Sequence, residues 1–427
     1  MLEVWPSDMS QAKKYDVIIV GAGPAGCAAA IKLASADLRI AIIDKAKFPR
    51  DKICGDALSI DVVNQLPMLS ARLAQIFKTF SKKTPSYGVK IFAPNRRSVD
   101  IPFYNKGKKG CGYISTRVDF DNLLFEEVAR YKSITILETH KVEEIVNNGV
   151  IVSVTCSSKS KLNEEESSSI YLEAPLIVGA DGAHSVVSKH LSDIKVELDH
   201  YSAGLRVYYE NVADFHGENF IELHFFKGIL PGYLWVFPLP DNKANVGIGM
   251  LSSAVSKKKV NLKKELNKAI SEDPGLRKRF ANANALETVK GFGLPLGSKK
   301  RVISGDRFLL TGDAAGLIDP FSGEGIANAI RSGRVAADHI LKCFETNSFS
   351  AEFNKAYDRE IYSRMWKEFR ISRSLQRLCA YPRLFNFVVN KAAQSKYLTK
   401  LLTDALAEVD VKQVLTKPGF YLRLLFK

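Results

Sequence analysis

The chain contains 427 residues, of which 25% are charged and 46% belong to the hydrophobic set. This composition is typical of a globular protein with two or three domains, and it excludes a disordered or fibrous chain. Lysine and arginine outnumber aspartate and glutamate by 61 to 46, so the formal net charge is +15. Such a charge favours polyanions, anionic membrane surfaces or phosphorylated substrates without choosing among them.

The cysteines and the apolar segments predict a cytoplasmic location. Six cysteines are scattered without a CxxC pair, which predicts neither a zinc site nor a disulfide framework. Residues 1–16 lack the basic and apolar regions of a secretory signal, and no run of 18 apolar residues occurs. We therefore expect a cytoplasmic protein without a metal site, and we treat peripheral contact with a membrane as a hypothesis.

The first periodic segments predict entry into a doubly wound parallel sheet. Residues 15–20 (YDVIIV) form an unbroken apolar run, and GAGPAG follows at 21–26. A stretch of small residues with helical character comes next, and a second apolar run occupies 39–45. The order strand, glycine turn, helix and strand is the unit that builds a parallel sheet with helices packed against it.

The glycine turn has the spacing G-x-G-x-x-G between a strand and a helix, the context in which this motif indicates a dinucleotide site. The first glycine allows the tight turn, the second lets a pyrophosphate approach the backbone, and the third lets the helix pack closely. Asp44, at the end of the next strand, would accept hydrogen bonds from ribose hydroxyls, which favours FAD or NAD over NADP. The cofactor contacts predicted in this unit are Gly21, Gly23, Ala25, Gly26, Asp44 and Lys45.

Two further motifs favour a flavin. GADGAHS at 179–185 and the stretch 305–316 each follow a buried apolar run, and both resemble signatures of flavoprotein hydroxylases and their relatives. In that group an aspartate of the second motif accepts a hydrogen bond from the ribityl chain of FAD, and Asp313 stands at this position, where aspartate also suits a helix cap. These motifs add Asp181, Gly312 and Asp313 to the predicted FAD site.

The second motif continues into a glycine-lined segment, 317–326, that precedes a predicted helix. Such a segment can lie against a flat ring, and the helix N-terminus can direct N–H groups at the flavin N1 and C2 carbonyl. This placement would favour the reduced, anionic flavin. The contacts predicted here are Pro320, Gly323, Gly325 and Ile326.

The remaining patterns complete an α/β prediction: a Rossmann-like FAD-binding domain, an inserted antiparallel β-sheet substrate domain and a C-terminal helical region. Antiparallel strands are predicted from short aromatic and β-branched runs, and the polar segment 157–169 is predicted as an exposed hairpin tip. Beyond Phe349 the chain is predicted to be helical. The strand runs are 87–104, 201–209, 219–227 and 233–251; the domains are 9–85 with 107–195 and 296–345 (FAD), 86–106 with 196–295 (substrate), and 346–427 (helical).

Five segments in matching order resemble the geranylgeranyl reductase family, which shares its FAD fold with aromatic hydroxylases and flavin-dependent halogenases. The resemblance covers most of the first 345 residues and implies an enzyme that reduces C=C bonds of a prenyl chain by hydride transfer from reduced flavin. The segments are PRDKICGDALS (49–59), STRVDFDNLL (115–124), GADGAHSVV (179–187), PGYLWVFP (231–238) and the stretch 305–333.

The resemblance also implies roles for individual residues. Arg50, Cys54 and the adjacent Gly55 would lie near the flavin ring, and Arg117 would lie near the ribityl and phosphate portion of FAD. Reduction of an isolated alkene needs a proton at the second carbon, which the Cys54 thiol or a water can supply; a free cysteine is also commonly a small buried filler. The substrate cavity would be lined by Tyr233 and Trp235.

Three alternatives remain open at this point. Halogenases carry W-x-W-x-I-P where this chain reads YLWVFP at 233–238, so the first tryptophan is replaced. A hydroxylase would use the same FAD to oxygenate an aromatic substrate, and fold analogy does not separate it from a reductase. A flavin binder without turnover would not need the intact run from Pro320 to Gly325.

The expected partners are an isoprenoid or other apolar substrate and an electron donor that acts transiently. A second dinucleotide motif is missing from the sequence, so NAD(P)H would react at the flavin face or a carrier such as ferredoxin would supply electrons. The basic residues lack any nucleic-acid-binding motif, so we expect no nucleic acid partner. Basic runs at 257–259 and 299–301, and the segment KPGFYLRLLFK at 417–427, suit the hypothesis of contact with an anionic membrane.

Overall fold

The computed structural model describes residues 12–105, 108–159 and 167–395. The strands, in chain order, are β1 Lys13–Lys14, β2 Val17–Val20, β3 Ile40–Ile43, β4 Ala57–Leu58, β5 Thr84–Ser86, β6 Gly88–Phe92, β7 Ser98–Pro102, β8 Tyr104–Asn105, β9 Lys108–Lys109, β10 Gly112–Ile114, β11 Ile134–Leu137, β12 His140–Asn147, β13 Val152–Lys159, β14 Ser167–Ala174, β15 Leu176–Gly179, β16 Tyr201–Glu210, β17 Ile221–His224, β18 Gly232–Leu239, β19 Lys243–Leu251, β20 Asn284–Ala285, β21 Lys290–Pro295, β22 Ser304–Gly305 and β23 Phe308–Leu310. The helices are α1 Pro24–Leu33, α2 Ile60–Leu69, α3 Ala71–Thr79, α4 Arg117–Val128, α5 Val186–Leu191, α6 Ser252–Lys258, α7 Leu262–Glu272, α8 Pro274–Arg279, α9 Ile326–Glu345, α10 Ala351–Cys379 and α11 Pro382–Gln394.

The first sheet has the strand order β11-β3-β2-β15-β23-β22. Its strands pair in parallel except β22, which pairs antiparallel with β23. Every residue of β2, β3, β15 and β23 is buried, as the unbroken apolar runs predict. The chain leaves β2 towards β3 and later returns on the other side of β2 as β15, so the order of strands reverses there. A crevice outside the carboxyl ends of β2 and β15 is where open α/β sheets bind ligands.

Helices α1 and α9 cover this sheet and pack closely on each other. A Cβ on Gly333 would lie 2.2 Å from the Ala25 carbonyl oxygen, so the close approach requires glycine at this point of α9. The many alanines of α1 are buried for the same reason, because small side chains let two helices approach. The packing holds the N-termini of α1 and α9 at the carboxyl end of the sheet.

The second large sheet has the order β20-β16-β19-β18-β17-β6-β7, with β21 also paired to β16. The predicted α/β fold with antiparallel strands is confirmed, with one difference: β17 pairs in parallel with β6, in the register Ile221↔Val89 to His224↔Phe92. A short connection forces β17 and β18 to be antiparallel. β6 comes from a distant part of the chain, so the tertiary fold decides its direction.

Three smaller sheets complete the β structure of the described residues. The first contains β1, β14, β13 and β12, the second β4, β10 and β5, and the third the antiparallel pair β8 and β9. β13 and β14 pair antiparallel from Val152↔Ala174 to Lys159↔Ser167, on either side of the predicted hairpin tip. The tip itself, at 160–166, lies outside the described residues.

The C-terminal helices pack on both large sheets. Helix α10 buries Tyr357, Ile361 and Met365 in the core formed around β2 and β3. Helix α11 buries Phe385 and Val389 against the β6–β7 side of the second sheet. The helical region is therefore continuous with both cores, and the predicted three-part division stays a prediction. Residues 396–427, with the segment 417–427, lie outside the described residues.

Candidate active site

The turn after β2 lies against the end of β15 and begins α1. Gly21 has a φ of +99°, and a Cβ at this position would lie 2.4 Å from the Ala180 carbonyl oxygen. A Cβ on Gly26 would lie 1.9 Å from the Gly21 carbonyl oxygen, so both positions require glycine. The added Cβ of Gly23 would meet only Arg50 Nη2 within 4 Å, at 3.5 Å. The backbone at Gly23 is therefore open to a ligand at the start of a helix, which is a favourable place for a phosphate.

Asp44 closes this turn from the next strand. Its Oδ2 accepts the Ala22 N–H and its Oδ1 accepts the Ala46 N–H, both at 2.9 Å. The side chain remains half-buried, and Lys45 beside it is exposed. Ala25, another of the predicted cofactor contacts, is the second residue of α1 and is buried. The two hydrogen bonds fix the carboxylate at the mouth of the crevice, where a ribose can reach it.

The turns after β23 and β15 bring two more carboxylates to the same edge. Gly312 has a φ of +55°, and the Asp313 that follows pairs through Oδ2 with Lys52 Nζ at 2.9 Å. Asp181 Oδ2 accepts the N–H of Val186, the first residue of α5, at 2.6 Å. Asp181 Oδ1 is buried with no hydrogen-bond partner among the described residues. Burial raises the pKa of Asp181 although its hydrogen bonds act in the opposite direction.

Hydrogen bonds of Asp319 and Gln376 fix the segment before α9. Asp319 Oδ1 accepts the N–H groups of Phe321 and Ser322, at 3.0 and 2.8 Å, which folds the segment into a turn. Gln376 of α10 donates its Nε2–H to the Pro320 carbonyl oxygen at 2.6 Å. Asp319 Oδ2 is buried without a partner in the described parts of the chain. These contacts fix the segment and leave the Asp319 Oδ2 oxygen available as an acceptor.

The start of α9 lies beside the end of β23. Gly325 is the N-cap residue and Ile326 the first helical residue, and a Cβ on Gly325 would lie 3.6 Å from Asp313 Oδ1. Glu324 Oε1 accepts the Ala327 N–H at 3.0 Å, and burial raises the pKa of Glu324. The sequence predicts that N–H groups at the start of α9 face the flavin. The Ala327 N–H is already bonded to Glu324 of the same chain.

A buried ion cluster connects the loop before β4 with α4. Arg117 makes two bonds of 2.7 Å to Asp121, and Arg50 Nη1 also bonds to Asp121 at 2.7 Å. Burial opposes the charge on Arg117, but Asp121, followed by Cys54, outweighs burial and raises its pKa. Burial by itself would raise the pKa of Asp121, but the charges of Arg117 and Arg50 outweigh burial and lower it. Two guanidinium groups therefore share one buried carboxylate.

The Cys54 loop is attached to the second sheet. Asn245 Nδ2 donates to the Cys54 carbonyl oxygen and to Asp56 Oδ2, both at 2.8 Å. Asp56 is fully buried with a φ of +67°, and burial raises its pKa to about 6. A Cβ on Gly55 would lie 2.9 Å from Phe237 Cε2, so the loop also contacts β18 directly.

Two aromatic residues of β18 face this loop. The Tyr233 hydroxyl donates to the Ser322 carbonyl oxygen at 2.7 Å, and burial, followed by the charges of nearby acidic groups and Cys54, raises the Tyr233 pKa. The rings of Tyr233 and Trp235 are 6.4 Å apart at 68°. The Trp235 indole lies over β19, where a Cβ on Gly247 would be 2.1 Å from its Cζ2. An aromatic wall thus connects the segment before α9 with Cys54.

The structure places the predicted residues around one crevice, and their individual roles stay predictions. The prediction from sequence missed Lys52, Asp56, Asp121, Asn245 and Gly247. Lys52 and Asp56 belong to the segment 49–59 that carries the family resemblance, so charge within that motif was an available signal. Gly247 alternates with Gly249 on β19 opposite aromatic residues, which indicates close packing of a ring on backbone. For Asn245 no sequence signal exists, since its partners are distant in the chain.

The residues of the crevice fit FAD. The open backbone at Gly23 suits a pyrophosphate, and the half-buried Asp44 suits a ribose. Two buried carboxylate oxygens, on Asp181 and Asp319, lack partners among the described residues and can accept from hydroxyl or N–H groups of a ligand. Among all residues that the structure describes, no group of three or more His, Cys, Asp or Glu could hold a metal ion. Within the same described part of the chain, no helix is long and apolar enough to cross a bilayer.

Comparison with known proteins places the chain in a class. The model of the FAD binding domain family matches residues 14–370. The chain therefore belongs to the FAD binding domain family, and it is an FAD-dependent oxidoreductase.

Individual relatives are more specific. The chain is 27% identical over 365 residues to a digeranylgeranylglycerophospholipid reductase of Methanosarcina acetivorans, covering 83% of this chain and 81% of the relative. It is 28% identical over 383 residues to a menaquinone reductase of Mycobacterium tuberculosis, covering 88% and 86%.

Solved structures share the fold. A geranylgeranyl bacteriochlorophyll reductase-like protein from Thermoplasma acidophilum superimposes with a TM-score of 0.77 at 24% identity, over 95% of this chain and 99% of the other. A halogenase in complex with phloroglucinol and FAD has a TM-score of 0.70 at 20% identity, over 93% and 85%. At these identities the structures bear on the fold and leave the reaction open.

Proposed function

We propose that this protein reduces carbon–carbon double bonds of a prenyl chain of the geranylgeranyl type. The observation that carries the proposal is the position of the Cys54 loop against the aromatic wall: a Cβ on the adjacent Gly55 would lie 3.6 Å from Trp235 Nε1, and Asn245 bonds both to the Cys54 carbonyl oxygen and to Trp235. FAD, when reduced, supplies the hydride. The names of the relatives, reductases of a geranylgeranyl lipid and of menaquinone, support the same class of substrate.

The chain's own residues would hold the cofactor along the carboxyl edge of the first sheet. Gly21, Gly23 and Gly26 would form the phosphate turn, with Asp44 at the adenosine ribose. Asp313, fixed by Lys52, would accept from the ribityl chain. The flavin ring would lie against the segment from Pro320 to Gly325 and Ile326, which contacts from Gln376 and Tyr233 hold in place.

For Arg50 and Arg117 we propose roles that differ from those implied by the family resemblance, which are the flavin ring for Arg50 and the ribityl and phosphate portion of FAD for Arg117. Arg50 Nη2 lies near the glycine turn, so we assign it to the phosphates rather than to the ring. Cys54 is one of the groups that raise the pKa of Arg117, so we assign Arg117 to the thiol rather than to the phosphates. Asp121 fixes both guanidinium groups by direct bonds, which orients them without a ligand.

Cys54 would donate the proton that completes the reduction. Hydride goes to one alkene carbon, the S–H bond of Cys54 breaks, and its proton goes to the other carbon, so the double bond gains two hydrogens. The charge of the Arg117 guanidinium would stabilise the thiolate that remains until solvent returns a proton. A positioned acid of this kind typically accelerates a reaction by about 10²- to 10⁴-fold.

Tyr233 and Trp235 would form the wall on which the prenyl chain lies. An apolar chain gains about 0.8 kcal/mol for each buried CH₂ group, so such a wall binds any sufficiently long isoprenoid. The head group is therefore a separate question, and a lipid, a quinone or a diphosphate presents the same chain.

A monooxygenase or halogenase is the second candidate, because a halogenase shares the fold. The sequence favours the reductase, since Tyr233 stands where halogenases have the first tryptophan. Reaction with dioxygen and an aromatic substrate, giving a hydroxylated or halogenated product, would identify this alternative.

The electron donor, the location and the membrane contact are further parts of the proposal. NAD(P)H or a protein carrier would reduce the flavin transiently. The protein would be cytoplasmic and would contact the membrane that holds its substrate through basic surface residues, each contributing about 1 kcal/mol near an anionic surface.

An anaerobic experiment tests the reaction. The purified flavoprotein is reduced and then mixed with a geranylgeranyl lipid, and flavin absorbance and lipid mass are followed. We expect reoxidation of the flavin with a gain of two mass units for each double bond. If the flavin stays reduced with the lipid and is reoxidised by dioxygen with an aromatic product, the reductase proposal is wrong.

A further inference from the structure

The amide of Asn245 connects the two parts of the proposed site. Its Oδ1 accepts the Trp235 Nε1–H at 2.8 Å, and its Nδ2 donates to the Cys54 carbonyl oxygen and to Asp56 Oδ2, each at 2.8 Å. These bonds use both ends of the amide, so the orientation of its oxygen and nitrogen is determined. The side chain is completely buried, and each of these bonds lies in the normal range.

The register of the second sheet explains why Asn245 reaches all three partners. On β19 it lies between Phe237 of β18 and Tyr208 of β16. Trp235 lies two residues from Phe237 on the same face of β18, a diagonal neighbour of Asn245. The Cys54 loop crosses this face of the sheet, so the amide lies between the aromatic wall and the loop.

Asp56 is the other half of this connection. Its Oδ2 accepts both the Asn245 Nδ2–H and the Tyr208 hydroxyl, the latter at 2.6 Å. Its positive φ bends the chain immediately after Cys54 and Gly55. A buried carboxylate in a bent loop needs such donors to hold its place.

We propose that Asn245 is a positioning residue that fixes the Cys54 thiol relative to the Trp235 wall. This inference rests on the proposed function, because it assigns Asn245 to the alignment of the proton donor with the prenyl chain. Loss of the two Nδ2 hydrogen bonds frees the Cys54 backbone but removes no group that touches substrate or flavin. The chemical step then slows because the thiol is displaced, while binding of the prenyl chain is largely kept.

The test compares Asn245→Asp with the wild-type flavoprotein. Aspartate keeps an oxygen that accepts the Trp235 Nε1–H. When it is ionised, its second oxygen replaces the Nδ2 donor that faces the Cys54 carbonyl oxygen and Asp56 Oδ2. The first measurement is the rate at which iodoacetamide alkylates Cys54 in the folded, FAD-loaded protein, determined by peptide mass spectrometry. Cys111 is the internal reference, because it is the other partly buried cysteine of the described residues and its thiol hydrogen-bonds to the Gly112 carbonyl oxygen. We expect the Cys54 to Cys111 ratio to change about tenfold.

The second measurement is steady-state reduction of a prenyl lipid. We expect kcat to fall about tenfold to hundredfold, with KM changed by less than about threefold. Tyr208→Phe is the matched control: it removes the other hydrogen bond to Asp56 and leaves all three bonds of Asn245. Both the alkylation ratio and kcat should stay within about twofold of wild type in this control.

The outcomes are separable. An unchanged alkylation ratio in Asn245→Asp, or an equal change in Tyr208→Phe, overturns the positioning role. If wild type does not reduce any prenyl lipid, the proposed function fails, whereas the alkylation ratio still decides whether Asn245 holds the loop. If Asn245→Asp loses FAD, Asn245→Ala replaces it; loss of FAD in both, with FAD kept in Tyr208→Phe, means that Asn245 serves folding and overturns the assignment.

Discussion

The indole ring of Trp235 lies directly on the backbone of Gly247: a Cβ at position 247 would be 2.1 Å from Trp235 Cζ2 and 2.3 Å from the Leu205 carbonyl oxygen. The ring can occupy this place because the residue beneath it has no side chain. The position of the aromatic wall therefore depends on a glycine of the neighbouring strand.

Gly247→Ala should displace Trp235 and weaken binding of the prenyl chain. We expect a loss of about 1–3 kcal/mol in unfolding free energy from overpacking and a several-fold rise in KM, with FAD affinity near that of wild type. Gly249→Ala is the control, because a Cβ there would be 3.7 Å from Trp235 Cζ3, an ordinary contact. Equal effects of the two substitutions would show that the ring does not need Gly247.

Cys54→Ser should slow the chemical step while FAD binding remains near normal. A hydroxyl is a much weaker acid than a thiol, so we expect single-turnover reoxidation of the flavin by a prenyl lipid to slow by about 10²-fold or more. Cys111→Ser, at the other partly buried cysteine, is the control. Loss of FAD from Cys54→Ser would instead identify Cys54 as a packing residue.

Asp313→Ala should weaken FAD retention. Hydrogen bonds to a charged group contribute about 1.5–3 kcal/mol, which corresponds to a rise in Kd of about 10- to 100-fold. Flavin fluorescence during titration of the apoprotein measures this. Lys52→Met shows whether FAD retention depends on the Asp313 carboxylate itself or on its ion pair with Lys52, because this substitution removes the lysine and keeps the carboxylate. A Kd unchanged in Asp313→Ala would mean that the carboxylate serves only its ion pair.

Asp56 should make stability depend on pH. Burial raises its pKa in the folded protein to about 6, from 3.8. The folded protein therefore binds the proton more tightly, so the stabilisation is complete below about pH 4 and is lost as pH rises through 6. Between these limits the unfolding free energy of wild type should fall relative to Asp56→Asn by about 3 kcal/mol. Urea unfolding of both proteins at pH 4, 5, 6 and 7 measures the difference, and a constant difference would contradict the prediction.

Membrane contact should depend on charge. We expect sedimentation with anionic vesicles at low salt and release at high salt, since screening weakens attraction between exposed charges and the surface. Removal of the last dozen residues, which include the aromatic and basic segment 417–427, should reduce binding further. Absence of binding under every combination would exclude peripheral contact of this kind.

The sequence alone determined the features that depend on short stretches of chain. The strand, glycine turn and helix at 15–36 predict a dinucleotide fold because Gly21 and Gly26 have no room for a side chain and Gly23 leaves the backbone open to a ligand, and the chain belongs to the FAD binding domain family. The antiparallel strands of the second sheet follow from turn residues between alternating runs. The residues 49–59, which carry Cys54, are identified by resemblance rather than by any pattern of spacing.

The tertiary structure decided the features that join distant parts of the chain. No short connection joins β6 and β17, so only the tertiary fold decides that this pair is parallel. Arg50 and Arg117 both bond to Asp121 on α4, although they belong to distant segments of the chain. The partners of Asn245 on β18 and in the Cys54 loop lie 10 and about 190 residues away, so its hydrogen bonds exist only after the sheet has folded against the loop. Buried polar groups find such partners through packing, and local sequence carries no record of them.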